Sequence, residues 1–459
     1  MQNIVIIGGG ISGLYCAYQL SKVDAGAVGV GSILVLEKSK DLGGRVHTYI
    51  DRHMTVEAGA GRFHQEHRLL MELIREFGLT GKMVPIAASA VFAPSDGTDS
   101  IMNSLLDAPD TILSGFMGDV VISGLDAWLG RENIPSSGLI ARVIVASKLK
   151  SVYYLRNVSF LDFAKTVLNK SELQFVVDTF GYYSELVIMN AYDAIQLMGE
   201  LGPGQKFYTL KGGLSQIIDG LRDRCVANGV RILRGKAVHR VEYESGIFAV
   251  YCEENKRPYL CNRCICAVPK QVVAGISFIG LGAQGWKKNL GDILCAPLCR
   301  IYAKYPVKGA GAGAGAGGGP WFRGFPKMTT NNPLRMIIPI SEKNGIIMIS
   351  YSDNVFAKYW KKIFNKGGIR SVELEIMRLV QLSTGVSIPV AISMKMFYWD
   401  CGVGYWGVGS NNDVFREKML RPAGESVELY LCGEHYSARY QQWMEGALET
   451  AVRVIDCIA

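Results

Sequence analysis

Apolar residues fall into two kinds of run along this chain, short unbroken ones and longer ones with helical spacing. Ile4-Val5-Ile6-Ile7 leads straight into Gly8-Gly9-Gly10, the pattern of a strand buried on both faces that ends in a turn. A helix is expected over 13–21, and 32–37 is a second buried run, read as a parallel neighbour of the first. Positions 68–77 alternate apolar and charged residues with helical period and stop at Gly78, a good C-terminal cap. From 104 to 200 the pattern is mostly helical, with an amphipathic segment at 159–168 and many aromatics over 172–196. Gly202-Pro203-Gly204 interrupts it. A helix then runs through Leu221, followed by strands at 230–233, 237–241 and 248–251. Further on, 336–340, 345–351 and 390–399 read as strands and 369–382 as a helix. A buried strand from Leu429 ends at the turn Gly433-Glu434, and 442–458 is the closing helix.

The first turn carries the clearest chemistry. Gly8-x-Gly10-x-x-Gly13 has no side chains to obstruct a pyrophosphate approaching the next helix, whose N-terminal N–H groups and partial positive charge favour an anion. Glu37 ends the second strand, where a carboxylate accepts hydrogen bonds from ribose hydroxyls; the offset from the turn is near the usual ~20 residues, stretched by 23–32. This is the pattern of a dinucleotide site. Lys38 follows, and Gly43-Gly44-Arg45 adds backbone donors and a guanidinium, which suits a resident FAD gripped from both sides better than an exchanging nicotinamide dinucleotide.

Composition narrows the partners. With 49% hydrophobic and 20% charged residues the chain is globular, and 459 residues suffice for two or three cores. A net charge of +8 without a dense basic run among aromatics argues against nucleic acid. The first apolar run is too short for a secretory signal, and no run reaches the ~18–20 apolar residues of a membrane span, so an intracellular, soluble protein with no membrane anchor is expected. Cys457-Ile-Ala459 falls one residue short of a prenylation box. Eleven cysteines, an odd number, suggest free thiols in a reducing compartment. Cys261, Cys264 and Cys266 have no second pair or histidine nearby, so buried thiols are expected there rather than zinc, and no metal site is expected elsewhere. A Gly/Ala tract over 309–319 reads as a flexible surface connection, and its regularity leaves an artificial spacer open.

Taken with Lys211-Gly212-Gly213 and Leu431-Cys432-Gly433-Glu434, these motifs resemble, in order and over both ends and the middle of the chain, the flavin-containing amine oxidases. That superfamily includes monoamine, polyamine and L-amino-acid oxidases. The resemblance implies an α/β fold with a Rossmann-like FAD-binding domain in three pieces, 1–61, 203–290 and 401–459. It implies a second, substrate domain with a helical insertion over 62–202 and a mixed sheet over 291–400. The cofactor residues it implies are Gly8, Gly10, Ser12, Gly13, Glu37, Lys38, Gly44, Arg45, Gly59, Ala60, Gly61, Arg62, Val238, Gly433, Glu434, Trp443, Met444 and Ala447. Gln442-Trp443-Met444-Glu445-Gly446 resembles the segment that sets an aromatic ring beside the flavin, and Gly404-Tyr405-Trp406 the stretch supplying a second ring. Tyr405 and Trp443 are then the rings flanking a neutral amine; on spacing alone both also fit as ordinary core aromatics. The chemistry implied is hydride transfer from the amine's alpha carbon to flavin N5, hydrolysis of the released imine, and reoxidation by O2 with release of peroxide.

The chain departs from the family at three points. Gly404 stands where monoamine oxidases carry the cysteine that binds flavin, and Cys401 is out of register, so non-covalent FAD is expected. Arg300 occupies the slot of a lysine that holds a water against the flavin; a register shifted by four would put Lys304 there instead. Arginine keeps the charge but cannot act as a neutral base, which bears on oxygen reactivity. Arg62, after Gly59-Ala60-Gly61, resembles the arginine that pairs with a substrate carboxylate in the amino-acid-oxidising branch; pairing with Glu66 or Asp51 is the alternative. The reading is an FAD-dependent oxidase of L-amino acids, with polyamines or monoamines next. A flavin-binding structural or interaction protein with little turnover stays open, and phytoene-desaturase-like and protoporphyrinogen-oxidase-like flavoproteins are a further class.

Overall fold

The computed structural model describes residues 2–22, 32–86, 90–95, 120–121, 136–200, 206–254, 257–281, 284–307, 319–410 and 412–458. The Gly/Ala tract apart from Gly319, the break at 202–204 and much of 104–135 lie outside them.

The apolar run at the N-terminus becomes the strand Gln2–Ile7, near the centre of an eight-stranded sheet. Its neighbours are Ile33–Glu37 on one side and Tyr259–Cys266 on the other, both parallel, with Arg231–Arg234 beyond the former. Ile247–Cys252 and Val238–Glu244 extend the sheet antiparallel, and Leu429–Leu431 pairs parallel with Tyr259–Cys266. Successive side chains of a strand point to opposite faces, and here both faces are covered. Ile4, Ile6, Ile33 and Val35 pack under the helices Ile11–Lys22, Ser215–Ala227 and Met444–Ile458, through Leu14, Leu20, Ile217, Leu221, Leu448 and Val454. Val5, Ile7, Leu34 and Leu36 meet Val241, Phe248, Val250 and Trp406 on the other face. Each such side chain contributes about 1.5–3 kcal/mol through burial, which fixes the strand whose end carries the glycine turn.

A second sheet of seven strands runs in the order Ser393–Trp406, Ile293–Lys304, Ile346–Asp353, Met336–Ser341, Met328–Thr329, Ala90–Phe92, Val120–Val121. The first four are antiparallel neighbours. Trp360, Val372, Ile376 and Val380 of the long helical segment Asn354–Thr384 cover its Cys299, Ile301, Ile347 and Ile349. That segment breaks at Gly368, whose φ of +63° is left-handed and leaves the expected helix over 369–382 as its second half. The amphipathic segment and the aromatic-rich stretch fold as short helices, Phe160–Ala164, Lys170–Thr179, Tyr183–Val187 and Ala191–Glu200. Asn169 and Glu172 form a capping box at the start of the second of these, worth about 1 kcal/mol.

One expectation is corrected. The eleven cysteines are not all thiols: Cys295 and Cys401 form a disulfide, while nine others are free. The strands Ile293–Lys304 and Ser393–Trp406 pair antiparallel with a register shift between Ala296 and Leu298, and this brings the two Cα atoms to 5.1 Å across 106 positions of chain. Cys261, Cys264 and Cys266 are buried thiols, as expected, and burial pushes Cys261 up to about 12. Thiol titration of the denatured, non-reduced protein should count nine groups. Cys401→Ser should lower stability by about 2–4 kcal/mol in urea titration, since the bridge closes a long loop.

Candidate active site

The glycine turn is built by close approach. Gly8 has φ +109° and donates its N–H to the Leu36 carbonyl at 2.8 Å. A Cβ on Gly13 would stand 2.0 Å from the Gly8 carbonyl oxygen, so only glycine lets the helix come this near the strand. Gly10 and Gly44 differ: a Cβ there would meet nothing nearer than 3.8 and 4.0 Å respectively. They lie together, since Gly43 donates to the Gly9 carbonyl at 2.8 Å, and bring two backbone turns without side chains to the helix N-terminus. Glu37 is buried and accepts from the N–H groups of Gly9 at 2.7 Å and Ser39 at 2.8 Å. Each of its oxygens keeps a second lone pair for a ribose hydroxyl. Lys236 donates its N–H to the Glu37 carbonyl at 2.8 Å, which brings the start of the Val238 strand alongside. Lys38 is exposed.

The C-terminal motif closes over this cradle. Gly433, at φ +135°, faces Ser12, whose Oγ is 4.0 Å from where a Cβ would be. Arg45 reaches from the second glycine turn to Glu434 as an ion pair, and also meets the Gly402 carbonyl at 3.2 Å and His435 Nε2 at 3.0 Å. Burial alone would raise the Glu434 carboxyl, but His435, Arg45 and the Gln442 N–H outweigh it and hold it down at about 2. Gln442 sits in the left-handed region at φ +72° and leads into Trp443 and the helix Met444–Ile458. Met444 and Ala447 are buried in its first turn. Glu445 of that turn accepts from Leu69 and Leu70 at 2.9 and 3.0 Å, tying this helix to Arg68–Glu76 and so to the segment that carries Arg62.

The other candidate residues gather where the two sheets meet. Glu57 accepts from the Leu214 N–H at 2.8 Å and Thr48 at 3.0 Å; burial pushes it up to about 7 against those bonds and Arg300. Its carbonyl accepts from Arg300 Nη1 at 3.0 Å and the Tyr302 hydroxyl at 2.8 Å. Gly59 admits the Arg45 carbonyl, and Ala60 donates to it at 2.8 Å; a Cβ on Gly61 would lie 2.9 Å from Arg300 Nη1. Arg300 is thus packed against the 57–61 turn, its guanidinium 4.5 Å over the Tyr351 ring. Burial opposes its charge, yet Tyr351, Tyr302 and Tyr182 more than restore it, so it is a fixed cation. Lys304, the alternative register, lies at the end of the strand opposite Ile346 and Ser393.

Arg62 donates to the Tyr182 hydroxyl at 2.8 Å and lies 4.7 Å over Phe207 and 5.9 Å from the Trp443 ring. Trp443 stacks on Phe207 at 6.1 Å and meets the edge of His67 at 4.9 Å. Of the acids considered as structural partners for Arg62, Asp51 instead meets Lys395 at 3.6 Å and Glu66 is exposed. Tyr405 is buried in the same apolar cluster as Trp443, with burial and then Asp353 and Glu185 raising its hydroxyl. Tyr182, Glu185, Asp353 and Lys327 were not singled out from the sequence. Tyr182 and Glu185 fall in the aromatic-rich stretch, the one signal that could have drawn attention to them. Burial, helped by Arg62, brings Lys327 down to about 7. Among the described residues, the one trio at metal-ligand spacing is Cys295, Cys401 and His435. Its sulfurs are bonded to each other, and the His435 Nδ1 accepts from the Lys270 N–H at 3.1 Å.

The profile of a family described as flavin containing amine oxidoreductase matches residues 11–459. The chain belongs to that family. The paired turns at Gly10 and Gly44, bare of side chains, with Glu37 held beside them and a helix N-terminus following, fit the flavin cofactor the family carries. A stretch of the chain is similar to L-amino acid oxidases. L-amino acid oxidase Cdc18 of Crotalus durissus cumanensis is 39% identical over 79 residues, 17% of this chain and 14% of that protein. The L-amino-acid oxidase of Bothrops pauloensis is 42% identical over 80 residues, 17% of this chain and 15% of that protein. The matched stretch therefore spans about one-seventh of the length of these relatives. In fold, the chain is similar over its whole length to putrescine oxidase. The wild type bound to putrescine superposes with a TM-score of 0.72 at 14% identity, covering 98% of that chain. A single mutant from a redesign of its cofactor binding gives 0.73 at the same identity and coverage. Among the described residues, no helix is long and apolar enough to cross a membrane.

Proposed function

We propose that the protein is an FAD-dependent amine oxidase whose substrate is an L-amino acid, with the FAD held non-covalently. FAD, when bound, supplies the two-electron acceptor, and O2 takes the electrons onward as peroxide forms. The chain's own residues bind and orient. The Gly8–Gly13 turn, Gly44 and Glu37 would hold the dinucleotide, with Val238, Gly433 and the first turn of Met444–Ile458 around it. Non-covalent attachment is supported by glycine at 404 and by the bond that commits Cys401 to Cys295.

The observation that carries the amino-acid reading is the corner around Arg62. A planar guanidinium laid on Phe207 and fixed by Tyr182 matches the two oxygens of a carboxylate. With the carboxylate there, Tyr405 and Trp443 are the rings that would flank the amine nitrogen and keep water from the reacting carbon. Arg300 acts as the fixed cation against the 57–61 turn. A polyamine or monoamine is the second reading, favoured by the fold shared with putrescine oxidase.

A panel of amines and L-amino acids, read by peroxide release, decides between them. In the amino-acid case, Arg62→Ala should raise KM for the carboxylate substrate roughly 10- to 100-fold, the size of a lost charge-assisted pair. It should leave oxidation of putrescine unharmed. An unchanged KM for the amino acid would remove Arg62 from the role. A flavin that stays oxidised with every amine under anaerobic conditions would instead favour the structural flavoprotein.

A further inference from the structure

One buried carboxyl near the candidate substrate corner carries an oxygen without a hydrogen-bond partner among the described residues. Glu185 lies in the short helix Tyr183–Val187, 2% exposed, and its Oε2 has no hydrogen-bond partner among the described residues. Burying a carboxylate oxygen without a donor is costly. The N–H groups at the helix start, those of Tyr183 and Ser184, already donate to Asp353 at 3.1 and 2.7 Å. The titratable and charged groups facing Glu185 come from every element around it. Arg62 stands on the turn after Glu57, Tyr182 just before its own helix, Tyr405 on the strand Ser393–Trp406, and Asp353 at the end of Ile346–Asp353. Behind these, Arg335 faces Asp353, Tyr351 faces Tyr182 and Tyr405, and Lys327 faces Arg62. Two of these four, Arg62 and Tyr405, are the proposed substrate contacts, and Arg62 is hydrogen-bonded to Tyr182, three residues from Glu185.

An aliphatic ammonium titrates near ~10, so at neutral pH an amine arrives protonated. A protonated nitrogen has no lone pair to form the C=N bond as hydride leaves the adjacent carbon. The site therefore needs a group that takes one proton. We propose that Glu185 is the acceptor of that proton, a role that rests on the amine-oxidase reading above. The ammonium N–H bond breaks, its electron pair stays on nitrogen, and the proton bonds to Glu185 Oε2, to be returned to water after the product leaves. Asp353 is the less suitable acceptor, because both its oxygens are already held by backbone N–H groups. Burial and the neighbouring Asp353 charge push Glu185 up to about 8, with Arg62 pulling the other way. Only the ionised form accepts, so the reductive step quickens as pH rises through that value.

Two measurements test this. In the resting protein, an infrared band of a protonated carboxyl should titrate near pH 8, vanish in Glu185→Gln and persist in Asp353→Asn. With L-leucine and putrescine as probes, anaerobic flavin reduction should show an ascending limb near the same pH. Glu185→Gln should lose that limb and slow reduction by roughly 100-fold, while Glu185→Asp, which keeps the carboxyl, should retain the limb in part. An unchanged limb in Glu185→Gln, or no band that depends on Glu185, overturns the proposal alone. So does a loss confined to KM for putrescine, which would make Glu185 an anchor for a second ammonium. No flavin reduction by any amine in the wild type, with the band present, overturns the amine-oxidase reading and this proposal with it.

Discussion

Gly13→Val is expected to yield protein that carries no flavin. The added Cβ would stand 2.0 Å from the Gly8 carbonyl oxygen and 3.1 Å from the Ala267 Cβ, with backbone on one side and packed sheet on the other. Neither can give way, so the helix Ile11–Lys22 must lift from the strand Gln2–Ile7. Overpacking of this kind costs about 1–3 kcal/mol, and more where backbone is the obstacle. The lift moves the helix's first N–H groups and Ser12 away from the glycine turns, which weakens the proposed phosphate contact at the same time. Gly285→Ala is the matched control, since a Cβ there meets nothing within 4 Å. The check is visible flavin absorbance per chain, together with the thermal midpoint of both variants. Gly13→Val with a full complement of flavin would show that the turn does not seat the cofactor.

The parts of the fold that sequence could reveal are those set by local period. The runs at 4–7, 33–36 and 429–432 are apolar throughout because their strands are covered on both faces, so they stand out without any tertiary knowledge. The strand expected over 390–399 extends instead from Ser393 to Trp406. Its far part, Asp400-Cys401-Gly402-Val403-Gly404, has poor strand formers, and pairing with Ile293–Lys304 overrides them. The disulfide was hidden for a related reason: it depends on a register shift between two strands, not on any spacing of cysteines. At the site, Arg45 and Glu434 each belonged to a visible motif, but their meeting across 389 positions did not follow from either. Glu185 carried no signal beyond its place in the aromatic-rich stretch. An acid between Ser184 and Leu186 reads as surface, and only the packing of Tyr405, Arg62 and Asp353 around it makes it otherwise. Lys327, after Phe325-Pro326, reads as a loop lysine and gains a chemical meaning only once Arg62 is placed beside it.

The Arg45–Glu434 pair sets up the second large effect. Glu434 has a carboxyl held at about 2 against an ordinary 4.5, so its ionised form is favoured by folding. A depressed carboxyl contributes stability that is complete above the unfolded value and is lost as pH falls from about 4.5 through about 2. Arg45 and the Gln442 N–H keep this contribution in place at neutral pH, where His435 is uncharged. Glu434→Gln removes the charge but keeps the shape, and it leaves Arg45 facing His435 without a counter-charge. A loss of about 3–5 kcal/mol is expected in urea titrations at pH 7, as for a partly buried pair deprived of one partner. The gap from wild type should narrow toward pH 2, where Glu434 is itself protonating. Arg45→Ala should cost a similar amount, and the double variant should cost clearly less than the sum, because each change removes the same interaction. Equal stability of Glu434→Gln and wild type at neutral pH, or a gap that does not shrink on acidification, would mean that the turn after the second strand and the C-terminal segment are joined by packing alone.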